Sequence, residues 1–371
     1  MEKDIVKLPI YAKFALIFFS ICLIFVLLNI GRHILIPVFL SLLGAILLRP
    51  IEVFLNQKLK IPHVLSVLLT VMLFVIFILG IIFFISWQIS DLTDDWIQIK
   101  SNLNSHYFKI QDWIKTKFNI SFKNQQSYVD KATSDVMDGN SQLMGNTIIS
   151  FSSVLMNTLL IPIYTFLILL YKTLYLKFLF KIVKTENQKT LQEILSEIKA
   201  VVQRYITGLL IQMAIVATLT TGGLLILGVE YAVLLGVITA ILNLIPYIGI
   251  LIATLATLLA TLVSSDSLSL VLGVVILSVV VQFIDNNILA PRIVGNKVRI
   301  NAMVSVLGVI IGASIAGIAG MFLAIPFIAM IKVTFDRIEP LAPYGYLMGA
   351  EINKTYDWNK LKLFSSFLKK D

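Results

Sequence analysis

Residues Tyr231 to Val263, YAVLLGVITAILNLIPYIGILIATLATLLATLV, run for 33 positions without a charged side chain. As one helix they would rise about 50 Å, well beyond the roughly 30 Å of bilayer hydrocarbon. The stretch must therefore break, and Asn243-Leu244-Ile245-Pro246-Tyr247-Ile248-Gly249 lies at its centre. Pro246 has no N–H to donate and its ring clashes with the carbonyl of Leu242, so the helix kinks or opens there. A second long stretch, Asn301 to Phe335, poses the same problem of length. Each is expected to form two short spans or a re-entrant hairpin.

Shorter apolar blocks surround these two: Tyr11 to Ile30, Ile34 to Leu48, Pro62 to Trp87, Thr147 to Tyr171, Ile206 to Val229 and Leu268 to Ile284. Of 371 residues, 58% are hydrophobic and 14% charged, and the mean hydropathy is +0.92. Such a chain has too few charges to cover a water-soluble surface of this size. Disordered, collagen-like, nucleic-acid-binding and disulfide-scaffold classes are excluded, the last because Cys22 is the single cysteine. The fold class is an all-α polytopic membrane protein of about eight membrane segments, including two broken or re-entrant hairpins.

The net charge of +9 reads as topology, since cytoplasmic loops accumulate Lys and Arg. Placing Lys3, Lys7 and Lys13 inside also puts inside Arg49, Lys58 and Lys60, the run from Lys172 to Arg204, and Arg292, Lys297 and Arg299. Both termini are then cytoplasmic. The chain divides into membrane segments at 1–87, an extracytoplasmic insert at 88–146 and a fourth segment at 147–171. A cytoplasmic amphipathic helix at 172–205, a transport core at 206–335 and a tail at 336–371 follow.

In the insert, Leu92, Trp96, Ile99, Leu103, Tyr107, Ile110 and Ile114 step by three and four, predicting a helical hairpin outside the membrane. It is an oligomer contact, a gate or a packed spacer. Thr190-Leu191-Gln192-Glu193 has the form of a capping box opening the amphipathic helix. The tail after Pro340 ends in Lys-rich sequence, either a surface anchor or solvated chain.

No catalytic constellation is present. The histidines are His33, His63 and His106, without HExxH spacing, so no metal site and no enzyme activity are expected. Gly312-Ala313-Ser314 lacks a base in the C-terminal half. A nucleotide-binding GxxxxGK[ST] loop is also missing, so no cofactor is implied and coupling would be to H+ or Na+.

Gly308, Gly312, Ala316, Gly320 and Ala324 recur every fourth residue, a spacing that lets helix backbones approach closely. With Gly317 and Pro326 they mark packing, dimerisation or a hinge. The sharpest polar cluster is Gln282-Phe283-Ile284-Asp285-Asn286-Asn287, followed by Pro291-Arg292-Ile293-Val294-Gly295. Asp285 sits against the end of a span, where an ionisable group is a candidate cation ligand, proton carrier or counter-ion. Its alternative role is an interfacial carboxylate paired with Arg292 or capping a helix. Broken transporter helices hold substrate and ions, so Asn243, Pro246, Tyr247 and Gly249 join Gln282, Asp285, Asn286, Asn287, Pro291 and Gly295 as site candidates.

These blocks resemble the AI-2E family of bacterial transporters. The resemblance rests on Arg204-Tyr205-Ile206-Thr207-Gly208, Leu227 to Ala232, Asn243 to Gly249, Asp285-Asn286 with Pro291 and Gly295, and Gly317 to Pro326. Ile36-Pro37-Val38 and Leu48-Arg49-Pro50-Ile51 match earlier on. The family pattern carries proline where this chain has Ile250, and again near Ala302 and Met303. The resemblance implies a homo-oligomeric secondary transporter of the bacterial inner membrane that exports a small polar solute akin to autoinducer-2, or exchanges Na+ for H+. A membrane scaffold is the non-transport alternative. Expected partners are the solute or a monovalent cation, membrane lipid and further copies of the chain, with no nucleic acid.

Overall fold

The computed structural model describes residues 9–94, 115–116, 159–245, 249–265, 267–295 and 300–350. The chain is a helical bundle: α1 (Ile10–Val53), α2 (His63–Asp94), α3 (Leu159–Leu170), α4 (Lys172–Ile182), α5 (Gln188–Leu227), α6 (Ala232–Leu242), α7 (Gly249–Ser264), α8 (Leu268–Ile284), α9 (Ala302–Arg337) and α10 (Ala342–Met348). Segments Phe54–Lys58 and Asp285–Gly295 are π-helical. Among the described residues the only β pairing is an isolated bridge between Ile300 and Gly349. Apolar lengths sufficient to cross a bilayer occur in α1, α2, α5, α8 with its π extension, and α9, although α9 is folded at Gly317, and the pair α3–α4 reaches that length only across a 65° bend, as a broken span or a re-entrant loop. The extracytoplasmic hairpin expected at 88–146 lies outside the described residues apart from the end of α2 and residues 115–116, and the tail lies outside them from residue 351.

Both long stretches are broken. In the first, α6 ends at Leu242 and α7 begins at Gly249, so two arms of about 16 and 24 Å run back on each other. Gly249 is required at the return, because a Cβ there would overlap the carbonyl oxygen of Leu242. In the second, Gly317 takes φ 56° and ψ −138°, a backbone conformation that belongs to glycine. The chain folds there into a hairpin, with the backbones of Gly312 and Gly320 too close for a Cβ on either and Gly308 packed on the Ile328 side chain. The every-fourth-residue stripe thus serves both expectations: small residues face each other across the turn that Gly317 makes.

Two expectations are corrected. The blocks Tyr11 to Ile30 and Ile34 to Leu48 are a single helix, and no turn forms at Gly31-Arg32-His33. None of those residues breaks a helix, and 44 residues of α1 rise about 66 Å. A chain reversal placing the N-terminus and Arg49 at the same end is therefore not formed in α1. The capping box at Thr190 is not used either: α5 starts at Gln188 after a 3₁₀ turn over Thr185–Asn187, and its N-cap Asn187 makes no side-chain bond. The Gln188 amide instead donates to the Phe180 carbonyl at 3.0 Å. The amphipathic segment and the fifth span are one continuous helix.

Packing follows the small and apolar faces. Leu43 of α1 meets Val202, Tyr205 and Ile206 of α5, with Phe322 and Leu323 of α9 against them. Ala45 and Leu48 pack on Val67 and Val71 of α2 and Leu169 of α3. Ser41 donates to the Pro37 carbonyl at 2.6 Å and to the Ile161 carbonyl at 2.9 Å, tying α1 to α3. Helix α5 ends in a Schellman cap: Gly228 at φ 73°, with Val229 N–H on Leu224 O and Gly228 N–H on Leu225 O. This sharp stop returns α6 against α5, where Gly236 touches Thr221.

Candidate functional site

Three segments meet at Asp285. Helix α5 supplies Gln212, whose Nε2 donates to Asp285 Oδ1 at 2.7 Å. The C-terminal end of α6 supplies Asn243, whose Nδ2 donates to Oδ2 at 3.1 Å. Asp285 itself opens the π-helix that continues α8. The approach depends on Gly208, one turn before Gln212, because a Cβ there would lie 2.9 Å from the Ile293 carbonyl oxygen. π-Helical turns concentrate at functional sites, where the extra residue per turn redirects side chains.

The carboxylate is 4% exposed and Gln212 is 8% exposed. No Lys, Arg or His forms an ion pair with Asp285 among the described residues, and Arg292 is exposed. The pairing with Arg292 weighed from the sequence is not formed. Two amide donors satisfy one lone pair on each oxygen, and no cation among the described residues would balance a charge on this buried carboxylate, a costly arrangement at membrane depth. One turn earlier, Gln282 Oε1 is buried without a hydrogen-bond partner among the described residues. The set is rich in acceptors and suits a proton, a monovalent cation or a hydroxylated guest. No cluster of three metal-ligating side chains occurs among the described residues.

Of the other candidates, Asn286 and Asn287 are exposed, and Asn287 donates back to the Phe283 carbonyl at 2.9 Å. Pro291 is exposed within the π-helix, which ends at Gly295. Gly249 shapes the turn below Asn243. Pro246 and Tyr247 lie outside the described residues. Gly308, Gly312, Gly317, Gly320 and Pro326 belong to the α9 hairpin and not to the carboxylate's surroundings.

Two features were missed from the sequence. Gln212 is one; a lone amide in the apolar run Leu209-Leu210-Ile211-Gln212-Met213-Ala214 was its available signal. The other is a hydroxyl layer one turn from the site. Thr239 and Thr257 approach to 3.5 Å between their Oγ1 atoms. Thr220 Oγ1 is buried without a partner among the described residues, and these threonines, with Thr254 and Ser278, line a cavity of about 10 Å³ together with the apolar Leu224, Ile250, Leu277 and Val281. That is on the order of the smallest space that holds a water. At the other side of Gln212 an open cleft of about 500 Å³ runs from Lys199 and Arg204 to Gly208 and Ile211.

A model of the AI-2E family transporter matches residues 14–339. The "Putative transport protein YueF" of Bacillus subtilis is 28% identical over 300 residues, covering 76% of this chain and 78% of that protein. A "Putative transport protein" of Haemophilus influenzae is 24% identical over 326 residues, or 86% of this chain and 91% of the other. The "Putative transport protein YrrI" of Bacillus subtilis is 36% identical over 129 residues, 35% of this chain and 36% of its own length.

Proposed function

Because the chain belongs to the AI-2E transporter family, we propose that it is a secondary transporter of the bacterial inner membrane that exports a small polar solute, with Asp285 as the ion-coupling carboxylate. The observation that carries this reading is the Asp285 carboxylate, buried with two amide donors and with no counter-cation among the described residues. A permanent Arg or Lys partner would hold the charge in one state, whereas amides leave it available to take up and release a proton or a monovalent cation. Asn243 and Gln282 would then hydrogen-bond a hydroxylated solute such as autoinducer-2. The cleft above Gly208 supports access from the cation-rich end, and the hydroxyl layer supports a polar path beyond the site.

The cation-rich end is read as cytoplasmic. Arg337 at the end of α9 pairs with Glu193 and Glu197 at 2.7 Å each, so the C-terminal α10 follows it to the same side. Homo-oligomeric assembly is part of the proposal.

A second reading, exchange of Na+ or Li+ for H+, is favoured by the acceptor-rich layer of threonines, whose oxygens suit a hard cation. Everted vesicles separate the two. Loss of solute uptake in Asp285→Asn, Asn243→Ala and Gln282→Ala vesicles, without sodium-dependent proton movement in the wild type, supports export. Sodium-dependent proton movement abolished by Asp285→Asn supports exchange. Wild-type behaviour of Asp285→Asn in both assays sinks the site and leaves the scaffold reading.

A further inference from the structure

Away from Asp285, a groove of about 740 Å³ opens between α1, the α3–α4 bend, the first turns of α5 and the second arm of α9. Its walls are apolar, with Ile46, Ile168, Leu176, Leu179 and Met330 among them. Three cations, Arg49, Lys172 and Lys199, also line it. None of the three has an ion pair or side-chain hydrogen bond among the described residues. Glu52, the carboxylate that acts on Lys172, is buried and already bonded to His63 Nδ1 at 3.2 Å. Among the described residues, three cations are gathered here with one nearby carboxylate, itself already engaged.

The walls continue into α4, which leaves α3 at 65°. Leu174, Phe178 and Ile182 are exposed along it beside Lys177 and Lys181. Apolar side chains exposed among lysines mark a helix that lies in a lipid headgroup region.

We propose that this groove binds an anionic phospholipid of the surrounding bilayer, its phosphate held by Arg49, Lys172 and Lys199 and an acyl chain laid along Leu176, Leu179 and Met330. Charge complementarity selects this occupant. A zwitterionic lipid brings its own cation, and a soluble anion leaves the apolar walls in contact with water. Basic pockets between membrane helices are suited to anionic headgroups for these reasons. The lipid would brace the α3–α4 bend against α1 and α5, a role separate from transport through Asp285.

Native mass spectrometry of the full chain in neutral detergent tests the proposal, with phosphatidylglycerol, phosphatidylcholine of the same acyl chains, and glycerol phosphate as probes. Phosphatidylglycerol is expected to be retained on the order of tenfold more tightly than phosphatidylcholine, and each of Arg49→Gln, Lys172→Gln and Lys199→Gln to weaken it about fivefold. Arg49→Lys should retain binding. Leu179→Trp, which fills the groove and leaves the cations in place, should displace the lipid and so keeps the test open if a charge variant fails to fold. Equal retention of the two lipids overturns the proposal, as does wild-type retention by the triple Gln variant. Displacement of the lipid by glycerol phosphate at equal concentration also overturns it, because the anion alone would then account for binding.

Discussion

The Gln212 amide reaches across 73 residues of sequence to donate to Asp285 Oδ1 at 2.7 Å, and both side chains are buried. A hydrogen bond to a charged group contributes about 1.5–3 kcal/mol, and more is lost when the acceptor is left buried and unpaired. Gln212→Leu is therefore expected to lower the thermal midpoint of the detergent-solubilised protein. Asp285→Asn removes the charge that makes the loss expensive. The double variant should recover part of the sum, with a coupling on the order of 1–3 kcal/mol in a double-mutant cycle. Strict additivity would mean that the two groups do not interact.

Why Asp285 was legible and Gln212 was not has a physical basis. An acid beside the end of a span stands out because burying charge is expensive, and Asn243 stands out beside a proline in an apolar stretch. Gln212 acquires its role only when Gly208 lets the π-helix approach α5, a relation no local spacing encodes. The threonines are concealed for another reason: Thr257 and Thr261 donate to the carbonyls of Ala253 and Thr257, four residues back, so they sit in an apolar helix at little cost. That each long stretch must break was readable because the bilayer supplies a ruler, whereas the position of the second break at Gly317 was not, since the glycine stripe suited close packing equally well. The uninterrupted α1 was not, since Arg32 and His33 are as acceptable in a helix as in a loop.

Gly317 gives a direct test of the α9 turn. Its φ of 56° with ψ −138° is strained for any residue with a Cβ, although nothing lies within 4 Å of the position that atom would take. Gly317→Ala should therefore cost about 1–3 kcal/mol through the backbone alone. Gly222→Ala is the control: it lies inside α5, likewise with open space beside it, and should be neutral or slightly stabilising because alanine is the better helix former. Equal thermal midpoints for the two variants would contradict the turn.

Arg337 bonds Glu193 through Nη1 and Glu197 through Nη2, joining the end of α9 to the start of α5. All three side chains are 40–44% exposed, so each pair contributes about 0–1 kcal/mol and is screened by salt. Arg337→Ala should shift the thermal midpoint slightly at low ionic strength and not measurably at 1 M NaCl. A large, salt-independent loss would show that the contact is structural in another way.

Thr220 separates stability from transport. Its Oγ1 is buried without a partner among the described residues in the small cavity beside Thr239 and Thr257, and an unsatisfied hydroxyl costs about 1–3 kcal/mol. Thr220→Val keeps the branched shape and removes the polar atom, so the folded protein should be as stable as the wild type or gain up to about 1 kcal/mol. If the hydroxyl layer carries protons, water or a cation to Asp285, the same change should slow vesicle transport while raising the thermal midpoint. The comparison variant is Thr218→Val, whose exposed hydroxyl donates to the Ala214 carbonyl at 2.8 Å away from the cavity, and it should leave transport unchanged. A Thr220→Val protein that is fully active would show that the hydroxyl takes no part in transport, and one that is destabilised would show that the hydroxyl gains a hydrogen bond in the fold.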